Sequence, residues 1–449
     1  YFCGMSTSRT VAFHTLGCKL NFSETSSINS SFRSAGYHEV NFEEPADIYV
    51  INTCSVTDQA DRKCRKVIRA AKRNNPESKV IVIGCYAQLK PEEIANISGV
   101  NLVLGAAEKF NILEHIQELD LQSFHSRVIS GPINEVNDFE PSYSKEGRTR
   151  AFLKVQDGCD YKCSFCTIPK ARGRSRSGTI AQITELAKQI IEHGAKEIVL
   201  TGVNIGDFGN GTEVIEGLRP KKEELFIDLI RELDKLEGDF RFRISSIEPN
   251  LCTEEIIQFV ACSRHFMPHF HMPLQSGDNE ILSAMKRRYK RELYSERVDM
   301  IKRIMPNACI GVDVIVGFPG ESDAHFSNTF SFLEDLEVSY LHVFTYSERS
   351  DTLAATMDHS VPADVRAKRS ESLRQLSNKK KHYFYRSNLG KTGHVLIEAR
   401  EKEGIYSGFT ENYVRVQISE TKDKMINQLI PVELDMITPQ MDVRGKILP

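Results

Sequence analysis

The stretch 157-DGCDYKCSFCTIPKARGRSRS-177 places three cysteines, Cys159, Cys163 and Cys166, on one short loop after the apolar run AFLKV that begins at Ala151. Three thiolates so close in sequence suit an iron–sulfur cluster, because soft sulfur ligands favour soft or borderline metals. A structural zinc site usually has four protein ligands, and no fourth Cys or His lies nearby in the chain. The loop therefore predicts a cluster that keeps one iron open for a small molecule.

Composition limits the class of protein. The 449 residues predict two to three domains, and 40% hydrophobic with 27% charged residues is typical of a soluble globular chain. No apolar run reaches the ~20 residues of a membrane span, and no secretory signal is recognisable. Eleven cysteines in 449 residues are far from a secreted disulfide scaffold, and their clustered spacing favours metal binding in a reducing cytosol, so we expect a cytoplasmic protein. Residues 1–4 before Met5 resemble an expression-tag remnant, so Cys3 is left out. The net charge of −3 says little about partners.

Three more cysteines fall at matching positions of a βαβαβ pattern. Cys18, Cys54 and Cys85 each follow a short apolar run, namely VAFHTLG, DIYVINT and KVIVIG. Such alternation with helical patterns predicts a parallel sheet, whose carboxyl strand ends lie side by side and commonly bind ligands. One such cysteine would more often be a buried structural residue. Three at equivalent strand ends predict a second cluster site.

The other cysteines lack this regularity. Cys64 lies within a predicted helix, and Cys252, Cys262 and Cys309 are scattered along the chain. We expect these four to be ordinary core or surface thiols.

The motifs TLGCKLN, INTCSVTDQADRK, VIGCYAQ and GCDYKCSFCTIPKARGRSRS resemble the methylthiotransferase family of radical S-adenosylmethionine (SAM) enzymes. The resemblance covers almost the whole chain and is strongest to the MtaB type, which modifies N6-threonylcarbamoyladenosine at position 37 of tRNA. It implies two 4Fe-4S clusters, one on each cysteine trio, and SAM as cofactor. It also implies the tRNA anticodon loop as partner, a reductant such as flavodoxin or ferredoxin, and a monomer without a membrane partner.

The central region predicts a partial (β/α)6 barrel. Six strands are expected, with helical stretches near 179–193, 221–236, 253–262, 278–305 and 322–337. Active groups of such barrels lie beyond the carboxyl strand ends. The resemblance, together with these positions, makes the following residues candidates for SAM or substrate contact: Phe165, Gly202, Asn204, Ser245, Glu248, Gln275, Asp313 and Gly317.

The C-terminal region combines a basic segment, residues 363–386, with several short strand patterns. The strands resemble a TRAM domain, a small RNA-binding β-barrel. From Lys391 onward, eight Lys or Arg face nine Asp or Glu, so we expect the basic segment and the Arg-rich loop after Cys166 to attract RNA phosphates. Tyr383, Phe384 and Tyr385 could stack on bases or belong to the core. A solvated helix face is an equally good interpretation of this segment.

The predicted fold class is therefore α/β, with an N-terminal parallel domain (6–125), a radical SAM barrel (145–382) and a TRAM-like barrel (385–448). A radical route is chemically apt, because C2 of adenine is not activated toward polar substitution at neutral pH. The expected reaction is methylthiolation of threonylcarbamoyladenosine, with cleavage of SAM at Cys159, Cys163 and Cys166. Methylthiolation of isopentenyladenosine or of a ribosomal-protein aspartate, a two-cluster electron-transfer protein, and a zinc-dependent RNA-binding protein remain open alternatives.

Overall fold

The computed structural model describes residues 9–55, 58–120, 126–144, 149–221, 224–402, 404–419 and 425–448. Residues 1–4 lie outside this described part, and so does the interpretation of them as a tag remnant. Within it, no helix has the length and apolar character needed to cross a bilayer.

The N-terminal part is a parallel sheet flanked by helices. Its strands are β1 Thr10–Thr15, β2 His38–Glu39, β3 Ile48–Thr53, β4 Lys79–Gly84, β5 Leu102–Leu104 and β6 Arg127–Ile129. Its helices are α1 Lys19–Ser34, α2 Asp58–Asn74, α3 Cys85–Leu89, α4 Pro91–Ala95 and α5 Ile112–Asp120. The strand order is β2-β1-β3-β4-β5-β6, and every pair is parallel.

Both faces of this sheet are buried. Ile48 and Val50 belong to one apolar cluster, whereas Tyr49 and Ile51 belong to another. Successive strand residues point to opposite faces, so the near-continuous apolar runs arise because helices cover both sides. The predicted parallel α/β unit is therefore present, with β1, β3 and β4 as immediate neighbours.

The central part contains a further series of parallel strands and helices. Its strands are β7 Ser142–Tyr143, β8 Arg150–Lys154, β9 Gln156–Asp157, β10 Arg176–Ser177, β11 Glu197–Thr201, β12 Arg241–Ile244, β13 His269–Gln275, β14 Cys309–Val316 and β15 Tyr340–Thr345. The longer strands pair in parallel as β8-β11-β12 and β13-β14-β15, and isolated parallel bridges at Phe242 and Ser246 join the two groups. Small antiparallel pairs join β7 to β8 and β9 to β10.

The helices of the central part are α6 Ile168–Arg172, α7 Ile180–Glu192, α8 Gly211–Ile215, α9 Phe226–Leu233, α10 Glu254–Cys262, α11 Asn279–Ala284, α12 Arg291–Ile304 and α13 Asp323–Asp335. The helical stretch predicted at 278–305 is broken into two helices. Lys286 adopts a left-handed conformation with φ of 56°, which ends α11 and starts a short connection. That connection carries Arg287, whose contact with the cysteine loop is described below.

The C-terminal part begins with the long helix α14 Ala363–Arg386. It continues with β16 Thr392–Lys402, β17 Ile405–Phe409, β18 Arg415–Ser419, β19 Leu429–Ile437 and β20 Val443–Ile447. These five strands close into a barrel in the order β16-β17-β18-β20-β19. Closure removes the exposed sheet edges and encloses an apolar core.

A buried ionic group joins this barrel to the base of the central sheet. Glu197 on β11 accepts hydrogen bonds from Arg241 and Arg243 on β12, at 2.5 and 2.9 Å. The same guanidinium groups donate to the carbonyl oxygens of Phe409 and Glu411, each at 2.9 Å. Burial alone would raise the pKa of Glu197, but the two arginines outweigh it and hold that pKa well below its ordinary value.

Candidate iron–sulfur and cofactor site

The three cysteines of the central loop receive hydrogen-bond donors on their sulfur atoms. The N–H of Tyr161 lies 3.4 Å from Cys159 Sγ, and the N–H of Ile168 lies 3.4 Å from Cys166 Sγ. The N–H of Cys166 donates to the carbonyl of Cys163 at 3.2 Å, so a tight turn separates these two cysteines. Donors directed at sulfur stabilise thiolate ligands and tune a cluster. The loop is therefore well suited to hold an iron–sulfur cluster.

Arg287 is a part of this site that the sequence did not reveal. Its Nη1 lies 3.1 Å from Cys163 Sγ, and its other terminal nitrogen pairs with Glu248. Glu248, a predicted cofactor contact, thus lies beside the cysteine loop but is bound by a cation. In the sequence Arg287 belongs to the run MKRRYKRE, which is typical of a solvated helix, so no local pattern distinguishes it.

Phe165 anchors the same loop in the protein. Its ring packs edge-on against Phe318, with 6.5 Å between the ring centroids. The neighbouring Ser164 donates its hydroxyl to the carbonyl of Ala284 at 2.8 Å. These contacts fix the cysteine loop against the carboxyl side of the central strands.

The N-terminal cysteines follow three adjacent parallel strands. Cys18 directly precedes α1, Cys54 follows β3, and Cys85 is the first residue of α3. Gly17 has a φ of 107°, and a Cβ added at this position would lie 2.7 Å from Cys54 Cβ. The position therefore requires glycine, which has no Cβ. The three preceding strands, β1, β3 and β4, are neighbours in the sheet, and Cys54 Sγ would lie 3.2 Å from the same added Cβ. The structure therefore brings this trio together at one sheet edge.

Neither trio has the geometry of a single-ion site. Among the described residues, only His271, Asp313 and His342 have their ligand atoms within 4.8 Å of one another, and no cysteine belongs to such a group. A zinc ion requires its ligands in one tight tetrahedron. The wider spacing of the thiols is compatible with ligands that bind different irons of one cluster. Burial raises the pKa of the free Cys166 thiol to about 12. Coordination to iron would lower this pKa, because the thiolate is the form that binds the metal.

Buried charges connect the two cysteine-bearing segments. Arg172, six residues after Cys166, donates to Glu24 of α1 at 3.0 Å and to Asp157 at 2.9 Å. Lys109 and Lys154 also pair with Glu24, at 2.7 and 3.3 Å. Burial would raise the pKa of Glu24, but the three cations hold it well below its ordinary value. Arg172 also interacts electrostatically with Cys18 and Cys85.

Asn204 combines deep burial with a side-chain amide that makes no hydrogen bond to the described residues. It is 2% exposed, and both polar atoms of its side-chain amide lack a hydrogen-bond partner within the described part of the chain. Buried amides are nearly always satisfied, so this one is suited to a ligand. Its backbone N–H and that of Val203 donate to Gln156 Oε1, at 2.9 and 3.0 Å. Gln156 also lies against Gly202, and a Cβ added at Gly202 would come within 2.9 Å of Gln156 Oε1.

The remaining predicted cofactor contacts lie at several places on the strand ends. Ser245 is buried directly after β12, and Gln275 ends β13 with a left-handed φ of 68° beside a register shift. At Gly317 the tight approach is to Arg366, whose Cγ would lie 2.3 Å from an added Cβ. In the structure, Gly317 is therefore explained by its close contact with the Arg366 side chain. Ligand contacts of these three residues stay predictions.

Asp313 lies within β14 and is bound by two histidines. His271 Nε2 is 2.9 Å and His342 Nδ1 is 3.3 Å from the same Asp313 oxygen. These residues come from the neighbouring strands β13 and β15 and line the inner side of the central sheet. Two imidazoles therefore share one carboxylate oxygen across three neighbouring strands.

The basic helix α14 is partly structural. Arg366 and Arg369 are buried and pair with Glu348 and with Glu321 and Asp323. Phe384 and Tyr385 are also buried, whereas Tyr383 is 69% exposed. The scattered cysteines behave as expected, since Cys64, Cys252 and Cys309 are buried and Cys262 is exposed.

Two family models match the chain. One is described as "Uncharacterized protein family UPF0004" and matches residues 10–105, and the other describes the radical SAM superfamily and matches residues 153–333. The first range contains the N-terminal cysteine trio, and the second contains the cysteine loop and the strands around it. A solved radical S-adenosylmethionine methyltransferase, TsrM from Kitasatospora setae, has a similar fold at 13% identity, with a TM-score of 0.56 over 82% of this chain and 83% of that one.

Curated relatives cover nearly the full length. The threonylcarbamoyladenosine tRNA methylthiotransferase MtaB of Bacillus subtilis (strain 168) is 39% identical over 434 residues, which are 95% of this chain and 93% of that protein. The tRNA-2-methylthio-N(6)-dimethylallyladenosine synthase of Staphylococcus haemolyticus (strain JCSC1435) is 30% identical over 99% of this chain and 86% of that protein. With its two cysteine trios and radical SAM fold, the chain belongs to the family of MtaB-type radical SAM methylthiotransferases.

Proposed function

We propose that this enzyme adds a methylthio group to C2 of N6-threonylcarbamoyladenosine at position 37 of tRNA. The observation that carries the proposal is the buried connection between the two cysteine trios through Arg172 and Glu24. The higher identity to the threonylcarbamoyladenosine enzyme than to the dimethylallyladenosine enzyme supports the choice of nucleoside.

Two 4Fe-4S clusters are proposed, one held by Cys159, Cys163 and Cys166 and one by Cys18, Cys54 and Cys85. When bound, the first supplies the electron for reductive cleavage of SAM, and the second supplies the sulfur that is transferred. Two observations support this assignment. Backbone N–H groups donate to sulfur atoms of the first trio, and Gly17 approaches Cys54 closely at the second. Asn204, with its two unpaired amide atoms, is proposed to bind a polar group of SAM.

The chain's own residues then position the reactants. Arg287 holds Cys163 and Glu248 in a fixed relation, while the Glu24 and Asp157 carboxylates fix Arg172 between the trios. Such preorganisation lowers the entropic cost of bringing the base, SAM and the sulfur into register.

The tRNA partner is proposed to bind α14 and the C-terminal barrel, which we assign as a TRAM-like module. Exposed cations on α14 and the exposed ring of Tyr383 support phosphate and base contacts. The central strands are proposed to form a partial (β/α)6 barrel. We further propose that the enzyme is cytoplasmic and monomeric and that flavodoxin or ferredoxin reduces it.

Mass spectrometry of tRNA nucleosides from a deletion strain tests the reaction. We expect loss of 2-methylthio-N6-threonylcarbamoyladenosine, with its unmethylthiolated precursor accumulating, and recovery on complementation. Loss of a methylthiolated isopentenyladenosine, or of the ribosomal-protein modification, would instead assign a different substrate.

A further inference from the structure

Two histidines and one aspartate converge on one face of the central sheet. Asp313 lies on β14, and its register partner His342 lies on the adjacent strand β15. His271 lies on β13, on the other side of β14. Val312 and Val314, the neighbours of Asp313 in sequence, belong to the apolar core that includes residues of α12. Because successive strand residues point to opposite faces, the Asp313 side chain lies on the face away from this core.

The ligand atoms of these three residues have the spacing of a metal site. His271 Nε2 lies 2.9 Å and His342 Nδ1 lies 3.3 Å from Asp313 Oδ1, and all three atoms lie within 4.8 Å of one another. Metal bonds of about 2.1 Å keep neighbouring ligand atoms roughly 3.0–3.4 Å apart in octahedral or tetrahedral geometry. Among the residues that the structure describes, no other set of three His, Cys, Asp or Glu side chains is as close. One ion can therefore contact all three side chains.

Strand pairing and ring packing hold the two imidazoles in place. Gly311 on β14 lies between its register partners, His271 on β13 and Tyr340 on β15. A Cβ added at Gly311 would lie 2.3 Å from the Tyr340 hydroxyl oxygen, so the tyrosine ring occupies the space that a side chain would fill. The centroid of this ring lies 5.1 Å from that of His342 and 6.3 Å from that of His271. Side chains held in this way lose little conformational entropy when they bind an ion.

In the described part of the chain, the carboxylate of Asp313 forms ion pairs with histidines alone. The buried carboxylates Glu24 and Glu197 instead pair with arginines, at 3.0 and 2.5 Å. An arginine is always charged, whereas a neutral imidazole leaves the negative charge of its partner uncompensated. A carboxylate that is largely removed from water is stabilised by a cation. The charge of the group therefore favours a divalent ion.

We propose that His271, Asp313 and His342 bind one divalent transition-metal ion. Imidazole nitrogen together with carboxylate oxygen suits zinc or ferrous iron, whereas magnesium and calcium prefer oxygen ligands. Each neutral imidazole carries its proton on the ring nitrogen that does not bind the ion. Three protein ligands leave at least one coordination position for water or another oxygen ligand. The His342 side chain is 55% exposed, so an ion can reach the group from solvent.

Zinc binding to the full-length, untagged enzyme tests the inference. The anaerobic protein, with its iron retained, is dialysed against buffered Zn²⁺, and zinc and iron are counted per chain. We expect one bound zinc ion and unchanged iron. His271→Ala and His342→Ala should each weaken zinc binding by about tenfold or more, because even the outer partners of metal ligands contribute about 10–100-fold. His394→Ala is the matched control, since His394 is 64% exposed and pairs with the single carboxylate of Glu411.

X-ray absorption at the zinc edge identifies the ligands. Nitrogen and oxygen at about 2.0–2.2 Å are expected, whereas sulfur at about 2.3 Å would assign the zinc to cysteines and refute the inference. A wild type that binds no zinc, or that binds it equally after His342→Ala and Asp313→Asn, would also refute it. Because His342 is exposed, His342→Ala should unfold thermally at the temperature of wild type without zinc. Zinc binding requires no nucleoside, so this inference and the proposed function can fail separately.

Discussion

Arg172 Nη1 lies 3.0 Å from Glu24 Oε1, and this buried ion pair connects α6, which follows the cysteine loop, with α1, which follows Cys18. Both side chains are almost fully buried, at 4% and 0% exposure. The pair therefore holds α1 and α6 together through charges that water cannot reach. In the proposed mechanism its role is positional, because it would fix Cys18 relative to the cysteine loop.

Replacing Glu24 with Gln should strongly destabilise the protein. The change leaves Arg172, Lys109 and Lys154 without their shared carboxylate, and breaking a buried pair typically costs about 3–5 kcal/mol. Urea unfolding followed by circular dichroism measures the effect. Glu39→Gln is the control, since its pair with Arg33 is exposed and such pairs contribute about 1 kcal/mol or less. Equal effects of the two substitutions would contradict the proposed importance of the buried network.

The two cysteine trios should have separable roles. Cys163→Ala should abolish formation of 5′-deoxyadenosine from SAM, whereas Cys54→Ala should retain it but stop methylthiolation of tRNA. Anaerobic assays with dithionite and product analysis by mass spectrometry measure both, together with iron content. Cys262→Ala, an exposed cysteine outside both trios, should behave as wild type. Continued 5′-deoxyadenosine formation by Cys163→Ala would refute the assignment of the loop.

Asn204→Ala should weaken SAM binding by about tenfold or more, because a buried amide that contacts a ligand contributes about 1–3 kcal/mol. The free protein should lose little stability, since neither polar atom of Asn204 has a protein partner to lose. Equilibrium dialysis with SAM and thermal unfolding without it separate the two effects. Equal SAM affinity in the variant and wild type would show that the amide serves another purpose.

Acid should weaken the contact between the central strands and the C-terminal barrel. The folded pKa of Glu197 lies below its ordinary value of 4.5, because Arg243 and Arg241 outweigh the effect of burial. Its contribution is therefore complete above about pH 4.5 and is lost as pH falls toward the folded pKa. Unfolding free energies measured from pH 7 to pH 3 should show this decline. Glu197→Gln should be less stable at pH 7 and should show a smaller decline.

The exposed part of α14 should contribute to tRNA affinity without changing the fold. Arg374→Ala should weaken binding and lower the slope of log affinity against log salt by about one, as for loss of one phosphate contact. Tyr383→Ala should weaken binding with little change in that slope, since base stacking is not ionic. Arg369→Ala should instead lower the stability of the fold, because it removes the buried ion pair between Arg369 and Glu321. Salt-dependent binding of tRNA distinguishes these results.

The sequence alone determined the architecture and the two cysteine trios. Apolar runs of strand length recur with helical patterns, and parallel strands align their carboxyl ends, so Cys18, Cys54 and Cys85 could be placed together before the structure was known. The cysteine loop follows from spacing within one segment. Polar residues at strand ends, such as Asn204, also follow from position along the chain.

Only the tertiary structure decided which charged residues act at the site. Arg287 reaches Cys163 across 124 positions because a left-handed turn at Lys286 breaks the helix there. Arg172 and Glu24 are 148 positions apart, and Arg150 of β8 reaches Glu398 of the C-terminal barrel across 248 positions. Charged residues carry no periodic signal that distinguishes a solvated face from a buried pair. Their roles depend on packing between distant segments, and sequence periodicity describes only one segment at a time.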